Sequence, residues 1–141
     1  LPARVTALAY APDGRTLAAG DADGHAVVWD AATGAPRALV GHRAQITAIA
    51  FVDGDALTAS LDGSVRRWSP TGALRALVTA DTEISTLALT RGEVIAGTTS
   101  GAIYRWPLAA LADLPGTLAE VTARLTTATV DPATGAFWPG P

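Results

Sequence analysis

Three tryptophans stand in step along the chain. Trp29, Trp68 and Trp106 are separated by 39 and 38 residues, and Gly24, Gly63 and Gly101, five residues before each, keep the same intervals. Chance similarity would not hold these anchors in register over three copies. A period near 40 means that each copy is one supersecondary unit, unable to bury its own faces and obliged to stack on its neighbours.

The best copy runs from Gly41 to Trp68, GHRAQITAIAFVDGDALTASLDGSVRRW. An alternating apolar run (Ile46, Ala48 and Ala50, with Ile49 and Phe51 on the other face) turns at Asp53-Gly54, runs again from Ala56 to Ser60, turns at Asp62-Gly63 and closes with Val65 to Trp68. Short strands joined by Asp-Gly turns predict a meander, with Pro70-Thr71-Gly72 leading to a fourth strand, Ala73 to Val78. The first copy offers Val5–Tyr10, Thr16–Gly20, Ala26–Trp29 and Arg37–Val40; the third offers Ile84–Leu89, Val94–Gly97 and Ala102–Trp106. After Trp106 the register loosens: Leu108, Leu111 and Ala112 allow one short helical turn or a plain loop ended by Pro115-Gly116, and Leu118–Arg124 would supply a fourth strand. Thr126–Trp138 reads as the opening of another copy. Four strands per period of this length predict an all-β fold of propeller blades: blade 1 over 4–40, blade 2 over 41–78, blade 3 over 79–124 and the start of blade 4 over 125–141. That makes about three and a half four-stranded antiparallel blades and an incomplete ring.

Composition bounds what such blades can serve. The 141 residues are 49% hydrophobic, enough for one modest domain, and a net charge of -3 gives no electrostatic reason to expect nucleic acid or an anionic membrane. No apolar run approaches the roughly 18 residues of a membrane span, so a soluble, cytoplasmic protein is expected. Cysteine, lysine, asparagine and methionine are absent and all ten basic residues are arginine, a bias that points to a GC-rich bacterial genome. Beginning at Leu1-Pro2, the chain is expected to be a piece of something longer or a processed product.

Gly-His, an alternating strand, Asp-Gly, a strand, Ser-x-Asp-Gly, a strand and Trp-Asp together resemble the WD40 repeat of seven- and eight-bladed β-propellers. The resemblance covers nearly the whole chain. It implies strands ordered from the axis outward and a network of His, Ser, Asp and Trp locking each blade. Only blade 2 carries the full set, His42, Ser60, Asp62 and Trp68. There the carboxylate in the tight turn would accept from the His N–H and turn amides, and the Ser60 hydroxyl would link the imidazole to the indole N–H. Removing Asp62 would then cost roughly 1–3 kcal/mol. Blade 1 keeps Asp23 and Trp29 without a preceding His, with Asp21 at the place of Ser60. Blade 3 has Ala80 for the His and Ser100 for the Asp, leaving Trp106, and is expected to be the least rigid blade or to rest on packing alone.

Neither catalysis nor a cofactor is expected. His25 and His42 are the only histidines, and without cysteine or a nearby second imidazole they do not suggest zinc. Asp21-Ala22-Asp23-Gly24 and Asp53-Gly54-Asp55 look superficially like calcium loops but lack the downstream bidentate Glu, and turn chemistry accounts for them. His42, Ser60 and Asp62 are the residue types of a hydrolytic triad, yet Ser60 lies in a strand without a nucleophile elbow. The absence of lysine excludes a phosphate-binding Gly-x-x-x-x-Gly-Lys loop. Arg66-Arg67, with Arg105 at the equivalent of Arg67, are expected at blade edges, paired with acids of the next blade.

Function is therefore expected in loops. The Asp-Gly turns and Gly-His lead-in loops should share one rim, bearing Arg43, Gln45, Leu61, Thr82, Glu83 and Ser100, where the resemblance implies binding of peptides or proteins. The favoured reading is a non-catalytic protein-interaction scaffold or sensor module within a larger protein. The alternative is a self-assembling module that closes its ring by homo-oligomerisation, because a short stack leaves sheet faces bare.

Overall fold

The computed structural model describes residues 1–112 and 128–129. Three four-stranded antiparallel sheets follow one another. The first holds β1 (Val5–Tyr10), β2 (Thr16–Asp21), β3 (Ala26–Asp30) and β4 (Pro36–Leu39) in chain order. The second repeats this with β5 (Ile46–Val52), β6 (Asp55–Ser60), β7 (Ser64–Trp68) and β8 (Leu74–Thr79). The third has β9 (Ile84–Leu89), β10 (Glu93–Thr98) and β11 (Ile103–Pro107), with β12 (Ala128–Thr129) as its fourth strand. The fold is all-β, in propeller-type blades, and the ring is not closed among the described residues.

Turn chemistry sets the registers. Val52 pairs with Asp55 across Asp53 and Gly54, both at positive φ (50° and 84°), the two-residue hairpin loop whose twist suits the flanking strands. Asp30 ends β3 by accepting from the amides of Ala32 and Thr33 at 2.9 Å each, which turns the chain into β4. A single 3-10 turn, Leu108–Leu111, follows β11, one of the two outcomes the Leu spacing allowed.

The fourth strand of the third sheet falls elsewhere than expected. Ala128 and Thr129, read from sequence as part of the next blade, pair with Arg105 and Tyr104. Leu118–Arg124, and the remainder of the expected fourth blade, lie outside the described residues.

The blades stack through their faces. Between the first two sheets lie Ala18, Val28, Leu39, Ile46 and Trp68; between the second and third lie Leu57, Val65, Val78, Ile84, Val94, Trp106 and Leu111. The middle sheet is covered on both sides, so every residue of β6 is buried. Alternation of side chains puts Ala56, Thr58 and Ser60 on the face toward the first blade and Leu57 and Ala59 on the other. The innermost strands β1, β5 and β9 pack side by side, while β4 and β8 lie outermost.

Candidate functional site: the rim and its clasps

At one end of each blade, the loop leading into the inner strand meets the turn between the second and third strands. The junction repeats in every blade: Ala22 donates to the Arg4 carbonyl, Leu61 to Gln45 and Thr99 to Glu83, at 2.9 to 3.0 Å. Neighbouring blades are knitted at the same level. Gly24 (φ 90°) lies so close to the Ala44 backbone that a Cβ would sit 2.7 Å from its carbonyl oxygen, and Gly63 (φ 81°) abuts the Ala80 and Thr82 carbonyls. Only glycine accepts both that conformation and that approach. Arg43, Gln45, Leu61, Thr82, Glu83 and Ser100 all belong to these loops, with Arg43, Glu83 and Ser100 exposed.

Beneath the rim of blade 2 runs a continuous hydrogen-bonded chain. The Trp68 indole N–H donates to Thr58 Oγ1 at 2.8 Å, Thr58 Oγ1 lies 2.7 Å from His42 Nε2, and His42 Nδ1 lies 2.9 Å from Asp62 Oδ2. With the ring proton on Nδ1, each atom has a matching role: indole N–H to hydroxyl, hydroxyl to Nε2, Nδ1–H to carboxylate. The His42 ring is fully buried and meets Trp68 edge-on at 6.3 Å. Asp62 also accepts from the Ser64 amide (2.9 Å), the Ser64 hydroxyl (2.5 Å) and the Arg43 amide (3.1 Å). Burial would raise the Asp62 carboxyl, but the hydrogen bonds from His42 and Ser64, the His42 ring and the Arg43 amide outweigh it and hold the group well below the usual carboxylate range.

The hydroxyl linking ring to indole is Thr58, not Ser60. Ser60 Oγ instead donates to the Ala44 carbonyl (2.9 Å) and accepts from the Asp62 amide (3.1 Å), fastening turn to lead-in loop. Ser60 is fully buried and its hydrogen bonds do not include His42. The trio therefore lacks a nucleophile–base pair.

Blade 1 closes differently. Its working carboxylate is Asp21, fully buried, which accepts from the amides of Asp23 (3.0 Å), His25 (2.9 Å) and Ala3 (3.3 Å) and lies 3.2 Å from His25 Nδ1. Burial pushes its carboxyl up, yet these amides and the imidazole prevail and hold it lowered. Asp23, expected in this role, is exposed in the turn and contributes its amide. Trp29 is half-buried on the blade's outer face.

Blade 3 does not rest on packing alone. Tyr104, at the position of Arg66, stacks on Trp106 (5.6 Å, 16°) and its hydroxyl lies 3.3 Å from both the Asp81 amide and carboxylate, tying β11 to the lead-in loop. Ala96 stands at the position of Thr58, and the buried Trp106 Nε1 has no hydrogen-bond partner among the described residues. Ala96→Ser should supply one and stabilise the protein by about 0.5–1.5 kcal/mol, read as a higher urea midpoint. An unchanged or lower midpoint would mean that the hydroxyl does not reach the indole.

Among the described residues, Arg67 and Arg105 pair with acids of their own blades. Arg67 Nε donates to the buried Asp55 at 2.7 Å, and Arg105, at the same position one repeat on, binds Glu93. Arg67 also reaches the Leu111 carbonyl in the following blade, at 3.1 Å. Among the described residues, no three His, Cys, Asp or Glu gather in a way that could hold a metal ion. Nor is any described helix long and apolar enough to cross a membrane.

A family model described as "WD domain, G-beta repeat" matches residues 2–30 and 35–69. No curated protein matches the sequence. Among solved structures, the chain is similar to the computationally designed Ika4 protein, at 29% identity and a TM-score of 0.68 over 81% of this chain and 71% of that one. It is similar also to the designed Ika8 protein, at 30% identity and TM-score 0.65 over 78% and 34% of the two chains. The β-propeller domain of Myceliophteria thermophila Cps50 (Swd1) superposes with TM-score 0.68 at 22% identity, over 76% and 36%. The chain thus spans about a third of the length of these last two proteins.

Proposed function

We propose, for a chain whose residues 2–30 and 35–69 are WD40 repeats and whose sheets are β-propeller blades, that it serves as a non-catalytic scaffold or sensor module binding a protein or peptide on the knitted rim. The observation that carries this reading is the cross-blade packing of glycine turns on neighbouring lead-in loops, Gly24 on Ala44 and Gly63 on Ala80 and Thr82. It supports loops of different blades presenting one surface at little ordering cost on binding. Arg43, Gln45, Leu61, Thr82, Glu83 and Ser100 are the contacts we assign. Arg43 and Glu83 offer opposite charges in adjacent blades, suited to an extended segment carrying both signs. In this reading the module acts in the cytoplasm, as part of a larger bacterial protein, without a cofactor.

Charge reversal at Arg43 and Glu83 should weaken a peptide selected from a library against the chain by tenfold or more, measured by titration calorimetry. Reversal of Arg15 and Arg91, in the loops at the opposite rim, should leave it unchanged. Equal losses from both pairs would defeat the assignment.

A second reading, a self-assembling module that closes its ring by homo-oligomerisation, has its own support in the apolar outer face of blade 1. Leu8 and Tyr10 are 66% and 63% exposed there, and Leu17 and Trp29 line the same hollow of about 530 Å³.

A further inference from the structure

Both blade-to-blade junctions are built from one device. In β1 and β5 a bulge follows the first residue, leaving Thr6 and Thr47 unpaired in the ladder. Each of these hydroxyls donates to the carbonyl of the residue that opens the next blade: Thr6 to Ile46 at 2.5 Å, and Thr47 to Ile84 at 2.8 Å. The opening isoleucines are fully buried. Ile46 packs on Gly20 of the preceding blade, so closely that any Cβ there would collide with its side chain.

The third blade carries the donor half of this device a third time. Its bulge places Ser85 at the position of Thr6 and Thr47, and Gly97 at the position of Gly20. The Ser85 hydroxyl rests on the Gly97 carbonyl of its own blade at 3.2 Å. Thr6 makes the same contact with Gly20, at 3.3 Å, alongside its shorter bond across the junction. Ile103 stands where Val65 closes the preceding junction; Val65 is fully buried, Ile103 is 41% exposed.

The acceptor half stands bare at the other end of the chain. Val5 is the β-branched opener of blade 1, equivalent to Ile46 and Ile84, and is 51% exposed. Leu8 and Tyr10 occupy the positions of Ile49 and Phe51, which pack in the core between blades 1 and 2. The two outer faces of the described blades therefore carry the complementary halves of a joint made twice between them.

We infer that a second copy of this chain docks head to tail on the Val5 face, the Ser85 hydroxyl of one copy donating to the Val5 carbonyl of the next while the Val5 side chain seats on Gly97. The inference deepens the self-assembly reading by naming its surface, and is independent of what the rim binds. Because the two patches differ, the contact is heterologous and propagates until the rotation closes a ring. The apolar faces of Leu8 on one copy and Ile103 on the other are buried in the process.

Light scattering on the intact chain should give a discrete multiple of 14.3 kDa. Leu8→Arg and Ile103→Arg, both at exposed positions, should each give folded monomers by circular dichroism. Mixed in equal amounts they should form a dimer and stop, because one sound joint remains between the Leu8 variant's third blade and the Ile103 variant's first. Ser85→Ala should raise the dissociation midpoint several-fold. A wild-type monomer at all concentrations would overturn self-assembly itself. A wild-type oligomer that survives both arginine substitutions, or variants that fail to dimerise on mixing, would overturn this surface while leaving self-assembly standing.

Discussion

Replacing Thr58 with valine should destabilise the protein by about 2–6 kcal/mol, because it leaves two buried groups without partners at roughly 1–3 kcal/mol each. The shape barely changes; what goes is the oxygen that takes the Trp68 indole N–H and answers His42 Nε2. Valine cannot do either, and water has no room at a fully buried position. Urea unfolding reads the loss as a lower midpoint with an unchanged slope. Thr58→Ser, which keeps the hydroxyl, should recover most of it. Ser60→Ala removes the bonds to the Ala44 carbonyl and the Asp62 amide instead, both in partly exposed rim loops, and should cost less, about 1 kcal/mol. If Ser60→Ala proved the more damaging of the two, the link would lie where the repeat pattern first suggested.

Asp62→Ala comes next, at about 3 kcal/mol, since the carboxylate accepts from His42, from the Ser64 amide and hydroxyl, and from the Arg43 amide. Its effect should depend on pH in a definite sense. The folded-state carboxyl is held well below its ordinary value of 3.8, so the unfolded chain takes up the proton first. The stabilisation is therefore fully present above that value and is lost as the pH falls below it toward the folded-state value. The gap in unfolding free energy between wild type and variant should be constant from neutral pH to about 5 and narrow steadily below about 4. A gap that stays constant down to pH 2 would mean that the ionised carboxylate is not the source of the stability.

Most of the fold could be read from spacing. The tryptophan and glycine anchors located each third strand, and the Asp-Gly turns placed the hairpins to within a residue or two. What spacing could not supply was register. Ser60 and Thr58 share a face of β6, but Ala56 pairs with Trp68, so the indole extends to the hydroxyl two residues nearer. A step of two back from Ser60 along the alternation would have found Thr58. Asp23 likewise aligned with Asp62 by number, while the buried strand end at Asp21 let a carboxylate reach the same turn amides from beneath. Tyr104 was passed over because an aromatic in a strand is usually core; only its ring against Trp106 and its hydroxyl beside Asp81 reveal a clasp. Ala128–Thr129, which pairs with β11, was not singled out as a strand of the third blade because a two-residue strand has no alternation to read.

In the first two sheets each strand bonds the one just made before it. A ribosome therefore releases one paired sheet before starting the next, and no ladder hydrogen bond of the first need wait for residues beyond Leu39. Such a chain can gain or lose a whole unit through a slip in copying its gene without unpicking a ladder. What must be preserved is the threonine that reaches forward across each junction, Thr6 to Ile46 and Thr47 to Ile84, since it is the stitch that joins one unit to the next.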